Sequence, residues 1–199
     1  MPLKNRAIVP GLIKKLAEVE LLSKVILSTN DPWLQDLGDK FKIKVRTRPK
    51  NISDDLTSMK SVLLDVIKYY KLDEQENIMT LYPTYPERTY KNICEFEDFF
   101  HENDLRSSLC KKDIKTHPFM CMIEDGIYAA PLINHTLSRR QDYPECFEIS
   151  HYICASRVSE VIYLNDQLYN EKTGFFHISD KIDVDYEVDY KKWKNIESN

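Results

Sequence analysis

No run of about eighteen consecutive apolar residues occurs in the 199-residue chain, so no segment reads as a membrane-spanning helix. The short apolar stretch from Ala7 to Ile13 is interrupted by Pro10 and Gly11. It lacks the longer apolar core and small-residue cleavage site of a secretory signal, and the chain reads as cytosolic. An excess of basic charge is also missing: 28 Lys and Arg face 32 Asp and Glu, a net charge of −4. That balance argues against nonspecific nucleic-acid binding, which needs clustered cations to neutralise phosphates. Closely spaced cysteine pairs are absent too. Cys94, Cys110, Cys121, Cys146 and Cys154 are odd in number and never nearer than eight residues. This excludes C-x-x-C zinc spacing and a disulfide framework, leaving free thiols in a reducing compartment. Repeats, low-complexity tracts and an interdomain linker are lacking as well, so residues 1–199 read as one domain.

What is present is an alternation of apolar strands and amphipathic helices. Leu12, Ile13, Leu16, Val19 and Leu22 form one face of a helix. Val25-Ile26-Leu27 then reads as a buried strand ending in the polar tip Ser28-Thr29-Asn30-Asp31, and Lys42 to Arg46 as a more exposed strand closed by Arg48-Pro49. Leu56, Met59, Leu63, Val66, Ile67 and Tyr70 recur at helical steps, and Ile78 to Leu81 is a further strand before a turn at Pro83 and Pro86. Thr89 is placed to cap a helix carrying Ile93, Phe96 and Phe100. Such alternation predicts an α/β fold with a mostly parallel sheet and helices on both faces. Residues 107–155 loosen into shorter β-like pieces (Ser107 to Cys110, Phe119 to Ile123, Tyr128 to Ala130, Tyr152 to Cys154) and read as an elaboration on that sheet. The chain closes with a strand at Ile182-Asp183-Val184-Asp185 and a helix through Tyr190 and Trp193.

In parallel sheets ligands bind beyond the carboxyl ends of the strands, so the polar residues after each strand are the candidates. On a strand, Asp183 and Asp185 would share one face about 7 Å apart. Two such carboxylates repel unless a cation or donor lies between them, which suits a Mg²⁺–nucleotide site; the alternative is a solvated acidic edge. Arg48, Arg88, Arg139 and Arg140 follow strands or turns, where guanidinium forks suit phosphates and sugar carboxylates as well as ordinary salt bridges.

Several of these segments, taken in order, resemble the acylneuraminate cytidylyltransferases, the CMP–sialic acid synthetase family. Pro2-Leu3-Lys4-Asn5 resembles the end of that family's nucleotide loop, and Ile26 to Asp31 its Val-Ser-Thr-Asp strand tip. Arg48-Pro49 with Ser53 to Ser58 resembles an Arg-Pro followed by Asp-Thr-x-Ser, and Leu81 to Thr89 resembles Gln-Pro-Thr-Ser-Pro-Leu-Arg-Thr. His117-Pro118, Arg140-Gln141 and Ile182 to Asp185 complete the series, which covers nearly the whole chain. The resemblance implies a three-layer α/β/α Rossmann-like fold of the nucleotide-diphospho-sugar transferases, acting as a homodimer through the 107–155 elaboration. It implies transfer of CMP from CTP to a nonulosonic acid such as sialic acid, with Mg²⁺ and release of pyrophosphate. Asp183 and Asp185 would hold the metal and, with Lys4, carry the catalytic roles. Lys4, Asn5, Arg48, Ser58, Thr84 and Arg88 would line the nucleotide site. Tyr82, Arg140, Gln141, Phe175 and Phe176 would meet the sugar, although Phe175 and Phe176 read equally well as core. The family's Gln falls at Tyr82 and its Asn-Gly at Ile149-Ser150, two departures in the sugar site. Its first strand and Gly- or Ser-containing phosphate loop have no counterpart in these residues, an arrangement that predicts open hydrogen-bonding edges on the flanking strands. The competing implication is a binding or regulatory subunit without turnover.

Overall fold

The computed structural model describes residues 2–197, and the side chains of residues 8–196. Helix α1 (Pro2–Ala17) opens the fold, so the backbone of Pro2 to Asn5 is helical and not the end of a loop. Strand β1 (Ile26–Thr29) follows, and Asp31 then accepts a hydrogen bond from Trp33 N at 2.9 Å to cap α2 (Pro32–Lys40). The Asp-Pro pair is an N-cap followed by a proline at the first helical position, a start signal that the strand-tip reading passed over. α2 lies close on its strands: a Cβ on Gly38 would fall 2.4 Å from Val45 Cγ2. Strand β2 (Lys44–Thr47) pairs parallel to β1.

Helix α3 (Met59–Tyr70) is capped by Ser58 and not entered through Leu56, which is 94% exposed in the preceding turn. Strand β3 (Asn77–Thr80) leads to α4 (Tyr90–Glu102), where Thr89 and Asn92 form the reciprocal capping box expected of that threonine. Strands β4 (Ser107–Asp113), β7 (Phe147–Arg157) and β8 (Gly174–His177) complete a four-stranded sheet in the order β3-β7-β4-β8. Only β7 runs against its neighbours. Thus β4 and β7 are interior strands of the main sheet, and the elaboration narrows to residues 114–146, a hairpin of β5 (Met122–Asp125) and β6 (Tyr128–Pro131). The expected strand at 182–185 is an extended loop without a ladder. It leads into α5 (Glu187–Glu197).

Two apolar layers sandwich the sheet. Leu16, Ile93, Phe96 and Phe100 from α1 and α4 meet Cys110, Tyr152 and Ile153 on one face. Leu63 of α3, with Val161, Leu164 and Leu168, meets Leu109 and Cys154 on the other. A register shift between Leu109 and Cys110 accounts for Tyr152 and Ile153 sharing a face despite being neighbours. A third cluster joins Val9 and Ile13 of α1 to Leu34 and Ile43 beneath β1. A fourth docks Trp193 of α5 onto Ile8 and Val184.

Replacing Thr89 with alanine removes the Oγ1 half of the α4 capping box and leaves the bond from the residue-89 backbone N–H to Asn92 Oδ1. We expect a loss of about 1 kcal/mol, measured as a lower urea midpoint at unchanged slope.

Candidate active site

The carboxyl end of β1–β2 is shaped by Arg48. Its backbone N–H donates to Thr29 O at 2.9 Å, and its Nη2 donates to Ser28 O at 2.9 Å. Asp65, whose charge reaches Arg48 through space, is already held in a two-pronged bond by Arg46, with both contacts at 2.8 Å. Arg48 Nε is therefore buried without a partner among the described residues, and burial lowers the guanidinium's pKa, with Asp65 opposing that shift only through space. A buried donor left unmade costs about 1–3 kcal/mol, which an anionic ligand would recover.

The following segment is a chain of local caps. Ser53 Oγ donates to Pro49 O at 2.7 Å, Asp54 Oδ1 accepts from Thr57 Oγ1 at 2.7 Å, and Ser58 Oγ accepts from Ser61 N at 3.3 Å. Ser58, expected at the nucleotide, thus serves first as a helix cap.

Beyond β3 the turn from Tyr82 to Arg88 is held from beneath. Arg88 is 1% exposed and donates from Nη2 to Tyr82 O at 2.9 Å and from Nε to Tyr152 O at 2.9 Å, with a further Nη2 contact to that carbonyl. Its guanidinium also lies 5.1 Å from the Tyr152 ring and 5.8 Å from that of Tyr85. It faces carbonyls and rings and, among the described residues, no carboxylate, and burial pushes its pKa down to about 10. Arg88 is a clamp that shapes the turn from below.

The 182–185 loop is tied to this turn by two bonds, Val184 N to Thr84 O at 2.8 Å and Ile182 N to Glu87 Oε2 at 2.9 Å. Val184 is buried beside Trp193, and Asp183 and Asp185 alternate with it. The alternation read from the sequence is retained although the ladder is not. Asp183 Oδ1 is buried and has no hydrogen-bond partner among the described residues, while Asp185 is exposed. Burial chiefly raises the pKa of the Tyr82 and Tyr85 phenols and keeps them protonated, with a hydrogen bond from Tyr85 to the Asp183 carboxylate and the charge of that carboxylate adding to it. Ser150 Oγ lies 3.4 Å from the Tyr85 phenol, and the His151 ring 5.3 Å from that of Tyr82.

The structure therefore gathers Tyr82, Thr84 and Asp183, with Arg88 under them, and places Arg48 at the end of the neighbouring strand pair. It does not gather the rest. Phe175 and Phe176 point to opposite faces of β8. Phe176 packs against Phe96 and Phe99 at 5.7 and 5.3 Å, and Phe175 against Phe147 at 5.0 Å, which is the core reading of that pair. Arg140 and Gln141 form an exposed turn between β6 and β7, where Asp142 pairs with Arg139. The side chains of Lys4 and Asn5 lie outside the described residues. Tyr85, a bulky ring where the resemblance has a smaller polar group, joins the site, and so do Glu87 and His151, which had not been singled out. Reading β7 at its full length would have brought His151 to this end of the sheet.

The carboxylates fit a metal only in part. Among the described residues no three His, Cys, Asp or Glu side chains converge on one point. The orphaned Oδ1 of Asp183 is nevertheless a cation ligand in waiting, and Mg²⁺ takes one or two carboxylates and fills its shell with water and phosphate oxygens.

Helices packed on mixed sheets, in place of the mostly parallel sheet expected, define the class: this is the Rossmann-like α/β/α fold seen in solved nucleotidyltransferases. Solved structures of that fold similar to this chain include a CMP:2-keto-3-deoxy-manno-octonic acid synthetase complexed with CTP. It is 13% identical, with a TM-score of 0.66 over 96% of this chain and 87% of the other. They also include the 4-diphosphocytidyl-2C-methyl-D-erythritol synthase of Anaerococcus prevotii DSM 20548. That protein is 14% identical, with a TM-score of 0.60 over 96% of this chain and 89% of the other. No protein-family profile matches the chain, and neither does any curated protein.

The buried acids beneath the site make stability fall in alkali. Burial raises Cys110 from 9.0 to about 12 and Tyr152 from 10.0 to about 12, and Tyr82, Tyr85 and Cys154 shift the same way. The unfolded chain gives up these protons first, so stability that is complete below the ordinary values drains away as pH rises through them. Arg88 acts in the opposite sense, because the folded state releases its proton at about 10 and the unfolded state only near 12.5. Five acids outweigh one base. We expect the urea midpoint to drop between about pH 9 and pH 11, with phenolate absorbance showing fewer than all 12 tyrosines ionised until unfolding.

Proposed function

We propose that this chain is a Mg²⁺-dependent nucleotidyltransferase that joins CTP to a nonulosonic acid, sialic acid or a relative, giving the CMP-sugar and pyrophosphate. The observation that carries the proposal is that buried groups of both signs lack a partner among the described residues at the strand ends: the Nε of Arg48 and the Nη1 of Arg88, suited to an anion, and the Oδ1 of Asp183, suited to a cation. A site built for a phosphate–metal substrate needs both signs, and an ordinary protein rim satisfies such atoms internally. A CMP:2-keto-3-deoxy-manno-octonic acid synthetase complexed with CTP shares the fold, which supports CTP and a sugar acid as the substrates.

In the reaction, the anomeric hydroxyl of the sugar gives up its proton to solvent and attacks the α-phosphorus of CTP, a P–O bond forms, the bond to the β-phosphate oxygen breaks, and pyrophosphate leaves. Asp183 and Asp185 would hold Mg²⁺, which when bound neutralises charge on the phosphates and makes the sugar hydroxyl easier to deprotonate. Arg48 stabilises the anionic phosphate oxygens, with Lys4 and Asn5 placed with it at the nucleotide by the family resemblance. Tyr82 and Tyr85, held protonated, donate hydrogen bonds to the sugar and cannot themselves act as bases near neutral pH. Arg88 and Thr84 fix the turn that presents them.

We also propose that the working form is a cytoplasmic homodimer joined through residues 114–146. Ile127 is 90% and Tyr128 74% exposed at the hairpin tip, flanked by exposed Met122, Ile123 and Leu132. A contiguous apolar arm of this kind is the mark of an interface. Changing Ile127 and Tyr128 together to lysine is expected to convert a dimer to a monomer in sedimentation velocity without changing the circular dichroism.

A second reading is favoured by one observation. β1–β2 and β3-β7-β4-β8 are separate sheets, so the two halves of the site are not joined by a ladder. A subunit with that division could bind nucleotide without turning it over. Pyrophosphate release from CTP, Mg²⁺ and a panel of nonulosonic acids separates the two. The transferase reading expects release that depends on one sugar and falls at least about 100-fold in Asp183→Asn and Arg48→Met. CTP binding by calorimetry with no release from any sugar would establish the binding subunit.

A further inference from the structure

The register shift in β7 leaves His151, Tyr152 and Ile153 without a partner in either ladder. Leu109 pairs with Cys154 and Cys110 already with Ser150, while the β3 ladder stops where Thr80 meets Cys154. Bulges of this kind re-aim a side chain, and they gather beside active sites. The bulge is held in place: Ser150 Oγ accepts from Tyr152 N at 3.3 Å, and Arg88 Nε donates to Tyr152 O at 2.9 Å. His151 is thereby set beyond the carboxyl end of β3, its ring 5.3 Å from that of Tyr82 and inclined to it by 47°.

A carbonyl fixes which nitrogen of this imidazole carries hydrogen. Nε2 lies 3.0 Å from Gln167 O, and a carbonyl only accepts, so Nε2 is the N–H and Nδ1 keeps its lone pair. The loop that presents the carbonyl is pinned in turn. Asn165 Oδ1 accepts from Gln167 N at 2.9 Å and from Tyr169 N at 3.1 Å, and Lys60 of α3 donates to Leu164 O at 2.6 Å. Leu164 and Leu168, either side of Gln167, are buried. Among the described residues His151 Nδ1 has no hydrogen-bond partner, and on this half-buried ring it stays open to solvent.

An imidazole held through one nitrogen by a fixed acceptor and open at the other is arranged to take a proton. The other side chains gathered here are not. The guanidinium groups of Arg48 and Arg88 have no lone pair to offer. The Tyr82 and Tyr85 phenols stay protonated, and the buried oxygen of Asp183 suits a cation. Imidazole changes charge between about pH 5 and 8, so near neutrality it can accept a proton and release it again.

We propose that His151 is the general base of the reaction, its Nδ1 taking the proton from the attacking hydroxyl of the sugar. The role rests on the transferase reading, in which Tyr82 holds the sugar beside this ring. As the hydroxyl oxygen bonds to the α-phosphorus and the bond to pyrophosphate breaks, the O–H electron pair stays on oxygen and the proton moves to Nδ1. The imidazolium keeps its Nε2–H on Gln167 O and then loses the Nδ1 proton to solvent, which restores the neutral ring.

The test is pyrophosphate release by the whole chain with CTP, Mg²⁺ and a panel of nonulosonic acids, comparing wild type with His151→Gln and His151→Gly. Glutamine sets an amide near the place of Nε2, so it can keep the bond to Gln167 O and the circular dichroism but cannot take a proton. We expect kcat to fall at least about 100-fold in His151→Gln, with the KM for CTP unchanged. In His151→Gly, added imidazole restores release, and among substituted imidazoles the rescue rises with basicity. Proton transfer gives that trend, whereas a packing role follows the size of the added ring. A smaller fall in His151→Gln would overturn His151 as the base, as would a rescue that is absent or ignores basicity. No release by wild type from any sugar would overturn the transferase reading, and the base with it.

Discussion

The buried guanidinium of Arg88 is the constraint on which the geometry of the sugar-side half of the site depends. It sits where β3 ends and the chain must turn away from β7, so the carbonyls of Tyr82 and Tyr152 lose their ladder partners together. One rigid fork satisfies both, and the rings of Tyr85 and Tyr152 lie against its faces. A lysine could not reproduce that pattern, because it offers a point charge where two divergent carbonyls and two ring faces need a plane. Because the turn is fixed from below, Thr84 O is available to hold Val184, and Val184 in turn orients Asp183.

The same arrangement explains why an exposed-looking motif is mostly interior. From the sequence, Arg88 follows a strand and is a natural ligand for phosphate. In the structure it is 1% exposed and neutralised by dipoles. The cost of burying that charge is visible in its lowered pKa, and the neighbouring phenols and thiols shift the other way for the same reason. Arg88 Nη1 is also without a partner among the described residues but lies buried under the turn, so the more accessible positive charge is that of Arg48, whose Nε remains unspent.

How far the sequence could be read followed from the range of the forces involved. Local signals were legible: the Thr89 cap, the α3 stripe of Leu63, Val66 and Ile67, and the strands at Ile26 and Ile78 all rest on contacts a few residues apart. The alternation at 182–185 was legible as burial of Val184 between two aspartates, but not as a loop, because what holds it is a pair of bonds to residues 84 and 87. β7 was seen only as the fragment Tyr152 to Cys154, since its bulge breaks the period of two on which strand reading relies. Phe175 and Phe176 could not be assigned from the chain alone. Adjacent residues on a strand face opposite ways, and only the neighbours Phe96 and Phe147 show that both directions are core.

The division of the sheet gives the site an energetic property that neither half has alone. A two-stranded ladder such as β1–β2 is marginal by itself, and here it is held by α1, α2 and α3 packing around it. Arg48 belongs to that ladder, and Asp183 belongs to the β3 side. Their separation is set by side-chain packing of the two roofing helices, which yields more readily than hydrogen-bonded backbone. A ligand engaging both residues would work against that freedom and stiffen the junction between the two sheets.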